Sequence, residues 1–265
     1  MKASGEWLTF SRPAYEPDES GWAHLRSYTT RYGIWGDGPP LVLLPGLAGG
    51  MDLLDPVIRV LARSFRVISF ESRGEADCFA LRRRFDLVDL ADDLGEFLDW
   101  FGLESPALLG VSFGAAIALE LAIRQPGRMR AMMLQGIGPR LEAGLMPRVA
   151  GMVLSRYPLP ADNPFFNQFF NLFFGMKQPD GPMFDFVTRT CWRTDQGVIA
   201  NRFGLLERAD FAGRLRKVKV PTLLLSGDRD VLVSRTGINE MANQIADSRV
   251  VRIGGAGHLA CVTHP

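Results

Sequence analysis

Long apolar runs are missing from this chain of 265 residues. No stretch approaches the roughly 18 residues that a membrane-spanning helix needs. The N-terminus, Met1-Lys2-Ala3-Ser4-Gly5-Glu6-Trp7, lacks the apolar core of a secretion signal. Net charge is missing too. Thirty Lys and Arg stand against 29 Asp and Glu, a balance of +1, so neither nucleic acid nor an acidic membrane is indicated as a partner. The basic run Arg82-Arg83-Arg84 reads as a solvated surface stretch rather than a phosphate site. Cysteine is scarce. Cys78, Cys191 and Cys261 are odd in number and widely spaced, which fits neither a disulfide framework nor a C-x-x-C metal pattern. A reducing compartment is the simpler expectation, and the chain reads as soluble and cytoplasmic. Histidine is equally scarce, with 3 residues, so a search for an imidazole base has three positions to try.

What is present is ordinary core material. Hydrophobic residues make up 47% of the chain, enough for a sizeable core, and the length suits one α/β domain with an insertion. Residues 1 to about 22 mix Gly, Pro and charge without periodicity and read as a surface arm. Residues 25–35 carry β-branched and aromatic alternation and suggest edge strands. Short apolar runs at 41–44, 65–70, 106–109, 130–134, 220–225 and 249–253 read as buried strands. Between several of them lie helical patterns, at about 53–63, 87–101 and 115–123. Strands alternating with helices predict an α/β fold: a mostly parallel central sheet with helices on both faces.

From 138 to 205 the alternation breaks. The stretch is rich in Met, Phe and Pro and reads as a helical lid inserted into a core formed by 1–137 and 206–265. Within it Phe165, Phe166, Phe169, Phe170, Phe173 and Phe174 form one aromatic stripe at helical spacing. Such a stripe packs a lid helix on the body, and part of it can line an apolar pocket; Phe169 and Phe173 are the candidates for substrate contact. Asn167, Gln168 and Asn171 lie off the stripe and are expected to face solvent. The absence of Lys and Arg from the striped helix itself, 165–174, weakens a membrane-surface reading.

The strand at 106–109 runs into Gly110-Val111-Ser112-Phe113-Gly114, and a helix of small residues follows. G-x-S-x-G at a strand-to-helix corner holds a serine in a tight turn with its hydroxyl exposed over the sheet. A serine hydroxyl is a weak nucleophile and needs a base, and the base needs an orienting carboxylate. His24 precedes the core strands and His264 is penultimate. His258 follows the glycine-rich Gly254-Gly255-Ala256-Gly257 just after the last strand and is the expected base. For the carboxylate, Ser226-Gly227-Asp228-Arg229-Asp230 offers two candidates. Asp230 is preferred; Asp228, nearer the strand, would brace the turn or pair with Arg229. An oxyanion would be held by the backbone N–H of Phe113 and, from Pro45-Gly46-Leu47-Ala48-Gly49-Gly50, that of Leu47.

Taken together, PGL at 45–47, RG at 73–74, GVSFG at 110–114, GDRD at 227–230, GAGH at 255–258 and HP at 264–265 resemble the α/β-hydrolase superfamily, in its lid-bearing, esterase-like branch. The resemblance implies Ser112 as nucleophile, Asp230 as acid, His258 as base, a small-molecule substrate and no cofactor. Hydrolysis of carboxylic esters through an acyl-enzyme is the first expectation. C–C bond, lactone or amide hydrolysis, acyl transfer and perhydrolysis use the same triad, and a non-catalytic small-molecule receptor is the remaining alternative. Two departures stand out. Pro45-Gly46 replaces the usual His-Gly. The Arg-Gly turn, Glu71-Ser72-Arg73-Gly74-Glu75-Ala76, lacks the usual Asp and second Gly, which predicts an altered wall near the site. Relatives continue past His-Pro with a helix that packs on the sheet; an uncovered sheet face there would favour association into a homo-oligomer.

Overall fold

The computed structural model describes residues 15–75, 78–79, 85–142, 164–175 and 181–265, without the side chains of 164–166, 168 and 169. The basic run at 82–84 and the first 14 residues lie outside this set. Strand β1 (Glu19–His24) is the outer strand of a mixed sheet, followed by β2 (Thr29–Trp35), β3 (Pro40–Leu44), β4 (Arg66–Phe70) and the short β5 (Cys78–Phe79). Then come β6 (Ala107–Val111), β7 (Ala131–Gln135), β8 (Thr222–Gly227) and β9 (Ser248–Ile253). The order is β1-β2-β4-β3-β6-β7-β8-β9, with β5 paired to β2. From β4 to β9 all pairs are parallel, whereas β2 is antiparallel to both β1 and β4.

Two expectations need correction. Part of the expected surface arm, Glu19–His24, is a strand, and β2 is not an edge, because β1 and β4 flank it. β1 alternates half-buried or buried positions with exposed ones and contains Gly21, so its apolar signal is weak.

Burial explains why the central segments are strands. All five residues of β6 are buried, as are Leu41 to Leu44 of β3. A parallel strand covered on both faces needs such a continuous apolar run. One face is covered by α2 (Leu87–Trp100), α3 (Phe113–Arg124) and α7 (Arg235–Gln244), which contribute Phe97, Ile117 and Met241 to a shared core. The other face carries α1 (Asp55–Leu61) and the short α8 (Ala260–Thr263), with Ile58 and Val262 buried there. Asp86 caps α2 and exchanges reciprocal hydrogen bonds with Asp89, a capping box that fixes its start. Between β7 and β8 lie α4 (Pro164–Phe174), α5 (Gly181–Cys191) and α6 (Gln196–Arg208).

The chain reverses its winding around β3. β4 lies on one side of it and β6 on the other, so a crevice opens beyond the carboxyl ends of β3 and β6, the usual place for a ligand in an open parallel sheet. Helix α3 sits very close to that crevice. A methyl group at Gly114 would lie 2.4 Å from the Leu44 carbonyl oxygen and 2.5 Å from that of Pro45. Both are backbone atoms, so neither can swing away. Gly114→Ala is therefore expected to lower the unfolding free energy by about 1–3 kcal/mol in urea titrations; an unchanged midpoint and slope would contradict this packing.

Beyond β4, Glu71 is buried under the loop after β3. Its carboxylate accepts the Met51 N–H at 3.3 and 3.4 Å and pairs with Arg31 at 3.1 Å. Burial, then the charge of Glu75, outweigh the pull of Arg31 and push its pKa from 4.5 up to about 7. The folded state thus holds this proton more tightly than the unfolded chain. Its stabilising effect is full below about pH 4.5 and is lost as the pH rises to about 7. Glu71→Gln, which mimics the neutral acid, should gain roughly 1–3 kcal/mol on the wild type between pH 5 and pH 8. A difference in unfolding free energy that stays constant across that window would contradict the shift.

Candidate active site

The corner between β6 and α3 is strained. Ser112 has φ 52° and is the only non-glycine residue with positive φ among the described residues, a conformation that costs about 1–3 kcal/mol. Its N–H donates to the Gln135 carbonyl at 2.7 Å. A methyl group at Gly110 would lie 2.5 Å from the Ala115 Cα, so only glycine lets the helix fold back this tightly on its strand. The corner lifts the Ser112 hydroxyl above the sheet, as the G-x-S-x-G spacing predicts.

There the hydroxyl meets His258. Oγ of Ser112 and Nε2 of His258 are 2.9 Å apart, and Nδ1 of His258 lies 2.9 Å from Oδ2 of Asp230. The structure therefore brings together all three side chains selected from the sequence. A neutral ring accounts for both contacts: Nδ1–H donates to the carboxylate, and Nε2 accepts from the serine hydroxyl. Such a chain can take the hydroxyl proton onto the imidazole while the carboxylate balances the new charge.

The carboxylate is held ionised. The Asp230 side chain is fully buried. Burial alone would raise its pKa, but the facing imidazole and the N–H groups of Leu232 and Val233 outweigh it and lower the pKa from the usual range. Those two N–H groups reach Oδ1 at 2.8 and 3.2 Å. Asp228 does something else: its Oδ1 accepts the Gly255 N–H at 2.8 Å and braces the turn. His258 is fixed through its backbone, whose carbonyl accepts from the Gln135 amide at 2.9 Å. The remaining histidines stay apart. His24 contacts Thr29 and His264 contacts Thr263, both on the surface.

Above this chain lies a cavity of about 220 Å³ with an almost wholly apolar lining. Leu47 lines it, and Gly46 passes close to Ser112. Phe113, fully buried, opens α3, where the first N–H groups of a helix have no partner within the helix. Phe173 lines the cavity and its ring stands 6.1 Å from that of His258. The side chain of Phe169 lies outside the described residues. Phe174 turns into the core against Phe184 instead. Asn167 corrects a sequence expectation: it is buried, and its Oδ1 accepts the Trp192 indole N–H at 2.7 Å.

Sequence reasoning missed the contribution of α6. Ile199, Phe203 and Leu206 line the cavity, and their i, i+4, i+7 spacing was the signal available. It also missed Arg202 on the same helix, which is fully buried. Among the described residues no cluster of His, Cys, Asp or Glu could hold a metal ion, and no helix is long and apolar enough to cross a membrane.

Similarity to known proteins agrees with this architecture. The family model described as alpha/beta hydrolase fold matches residues 39–265. RutD of Escherichia coli, which carries the provisional name carbamate hydrolase, is 23% identical over 87% of this chain and 88% of its own length. Polyketide synthase ThaQ of Burkholderia thailandensis is 27% identical over 86% of this chain; the chain spans 11% of that much longer protein. Among solved structures, the enol-lactonase of Burkholderia xenovorans LB400 superposes with a TM-score of 0.81 at 19% identity, over 91% of this chain and 93% of its own. With the match running through the whole sheet from β3 onward, the chain belongs to the alpha/beta hydrolase fold family.

Proposed function

We propose that the protein is a serine hydrolase that cleaves carboxylic esters of small to medium apolar substrates through an acyl-enzyme. The observation that carries this reading is the Asp230–His258–Ser112 chain, with both contacts at 2.9 Å, lying beneath an apolar cavity. In this mechanism Oγ of Ser112 attacks the ester carbonyl as its proton passes to Nε2 of His258. The oxyanion is held by the N–H groups of Phe113 and Leu47. His258 then protonates the leaving alcohol, and the acyl group stays on Ser112. Water repeats the sequence, giving up a proton to His258, and the carboxylic acid departs as Oγ regains its hydrogen. Asp230 holds the imidazolium throughout.

The helices between β7 and β8 act as a lid in this reading, the insertion 138–205, and supply Phe173, Ile199 and Phe203 to an acyl pocket. Carbamate hydrolase and enol-lactonase, the names of two relatives, denote cleavage at a carbonyl carbon. Lactone opening is the same reaction within one molecule, and a panel of esters and lactones separates the two preferences.

Turnover of p-nitrophenyl esters tests the assignment. Ser112→Ala should reduce it to background, and Asp230→Asn should lower kcat by roughly 10³–10⁴-fold while the protein stays folded. Ester hydrolysis surviving in Ser112→Ala would contradict it. Ile199→Trp fills part of the cavity and should move the acyl-chain optimum toward acetate. Each methylene excluded from apolar contact is worth about 0.8 kcal/mol, or roughly fourfold in kcat/KM. An unchanged chain-length profile would place the acyl group elsewhere.

A further inference from the structure

Arg202 projects from α6 into the interior and is fully buried. Nη1 donates to the Leu47 carbonyl at 3.0 Å and to Oε1 of Glu75. Nη2 donates to the carbonyls of Ser72 and Arg73 at 3.1 and 2.7 Å. The guanidinium Cζ lies over the Phe113 ring, 5.6 Å from the centroid. One side chain therefore touches both residues whose N–H groups face the oxyanion in the proposed mechanism. Glu75 extends the grip. Its Oε2 accepts from Thr194 Oγ1 at 2.8 Å, and that hydroxyl accepts the Gly49 N–H at 2.8 Å. The loop after β3 is thus pinned at Leu47 and at Gly49 through one buried ion pair.

Stability alone is a poor account of this arrangement. Burying a guanidinium costs several kcal/mol, and a buried ion pair commonly contributes no more than well-packed apolar residues would. What an apolar core lacks is the planar fork, which holds three carbonyls of two loops in fixed directions at once. The departure of the Arg-Gly turn from the family pattern, noted in the sequence, supplies its partner Glu75.

We infer that Arg202, paired with Glu75, is a positioning residue that holds Leu47 and Phe113 in register to bind the oxyanion, and so ties catalytic competence to the seating of α6. This rests on the serine-hydrolase reading. Arg202 does not itself touch the substrate; it acts through the two backbone donors, whose misplacement by about 1 Å can cost on the order of 100-fold in rate.

The test compares wild type with Arg202→Lys and with the double variant Arg202→Met/Glu75→Gln, which removes the pair without leaving a buried charge unmatched. Three readouts are needed: thermal midpoint, steady-state ester kinetics, and inhibition by an alkylboronic acid. The boronic acid forms a B–O bond to Ser112 Oγ as the serine proton passes to His258, which places a tetrahedral adduct against the oxyanion donors. Both variants are expected to stay folded, to lose kcat by about 10- to 100-fold with KM changed less than threefold, and to lose boronate affinity by the same factor as kcat. A folded double variant with wild-type kcat and boronate affinity would overturn the inference. So would Arg202→Lys losing activity only in proportion to its unfolded fraction. A folded wild type that turned over no ester and bound no boronate would instead overturn the hydrolase reading, and this inference with it.

Discussion

The turn at Ser112 constrains the rest of the site. A non-glycine residue is held at φ 52° because β6 and α3 leave it no alternative: Gly110 lets the helix fold onto its strand, and Gly114 lets that helix pass within contact of the Leu44 and Pro45 carbonyls. The strain is sustained by the cooperative core around it. All of β6 and all but the last residue of α3 are buried. A serine in a relaxed loop would wander among rotamers and backbone states, whereas here its hydroxyl has one direction. Every other contact in the site is made relative to that direction.

Around this fixed point the fold arranges groups from distant parts of the chain. β7 supplies Gln135, whose carbonyl holds the Ser112 N–H and whose amide holds the His258 backbone. The turn after β8 supplies Asp230, and the loop after β9 supplies His258. The carboxyl ends of neighbouring parallel strands point to one edge of the sheet, so residues more than a hundred positions apart converge there without long loops. Beneath the loop after β3 lie the buried carboxyl groups of Glu71 and Glu75, the half-buried Arg31 and the fully buried Arg202. The site thus lies between an apolar cavity above and a polar, hydrogen-bonded foundation below.

Much of this was legible in the sequence, and for identifiable reasons. The parallel core announced itself because strands buried on both faces must be apolar throughout, as at 41–44 and 107–111. Ser112, Asp230 and His258 were legible because each lies within a few residues of a strand's carboxyl end, in a turn that contains glycine. β1 was not, because a strand at the edge of a sheet needs only intermittent apolar residues, and Glu19–His24 has Gly21 and charge among them. Asn167 and Arg202 were not, because their burial depends on partners remote in sequence. Trp192 meets Asn167, and Glu75 lies 127 residues from Arg202. A polar residue on an amphipathic helix looks solvated until the surface facing it is known.

The central claim is that Ser112 is an activated nucleophile, and covalent labelling tests it most directly. The protein would be treated with a fluorophosphonate carrying an apolar chain, digested, and the adduct mapped by mass spectrometry. The account requires one adduct, on the peptide containing Ser112, formed in minutes by the wild type and lost in His258→Gln despite an intact fold. Labelling at another residue, or equal labelling rates in wild type and His258→Gln, would show that the Asp230–His258–Ser112 chain does not activate the serine.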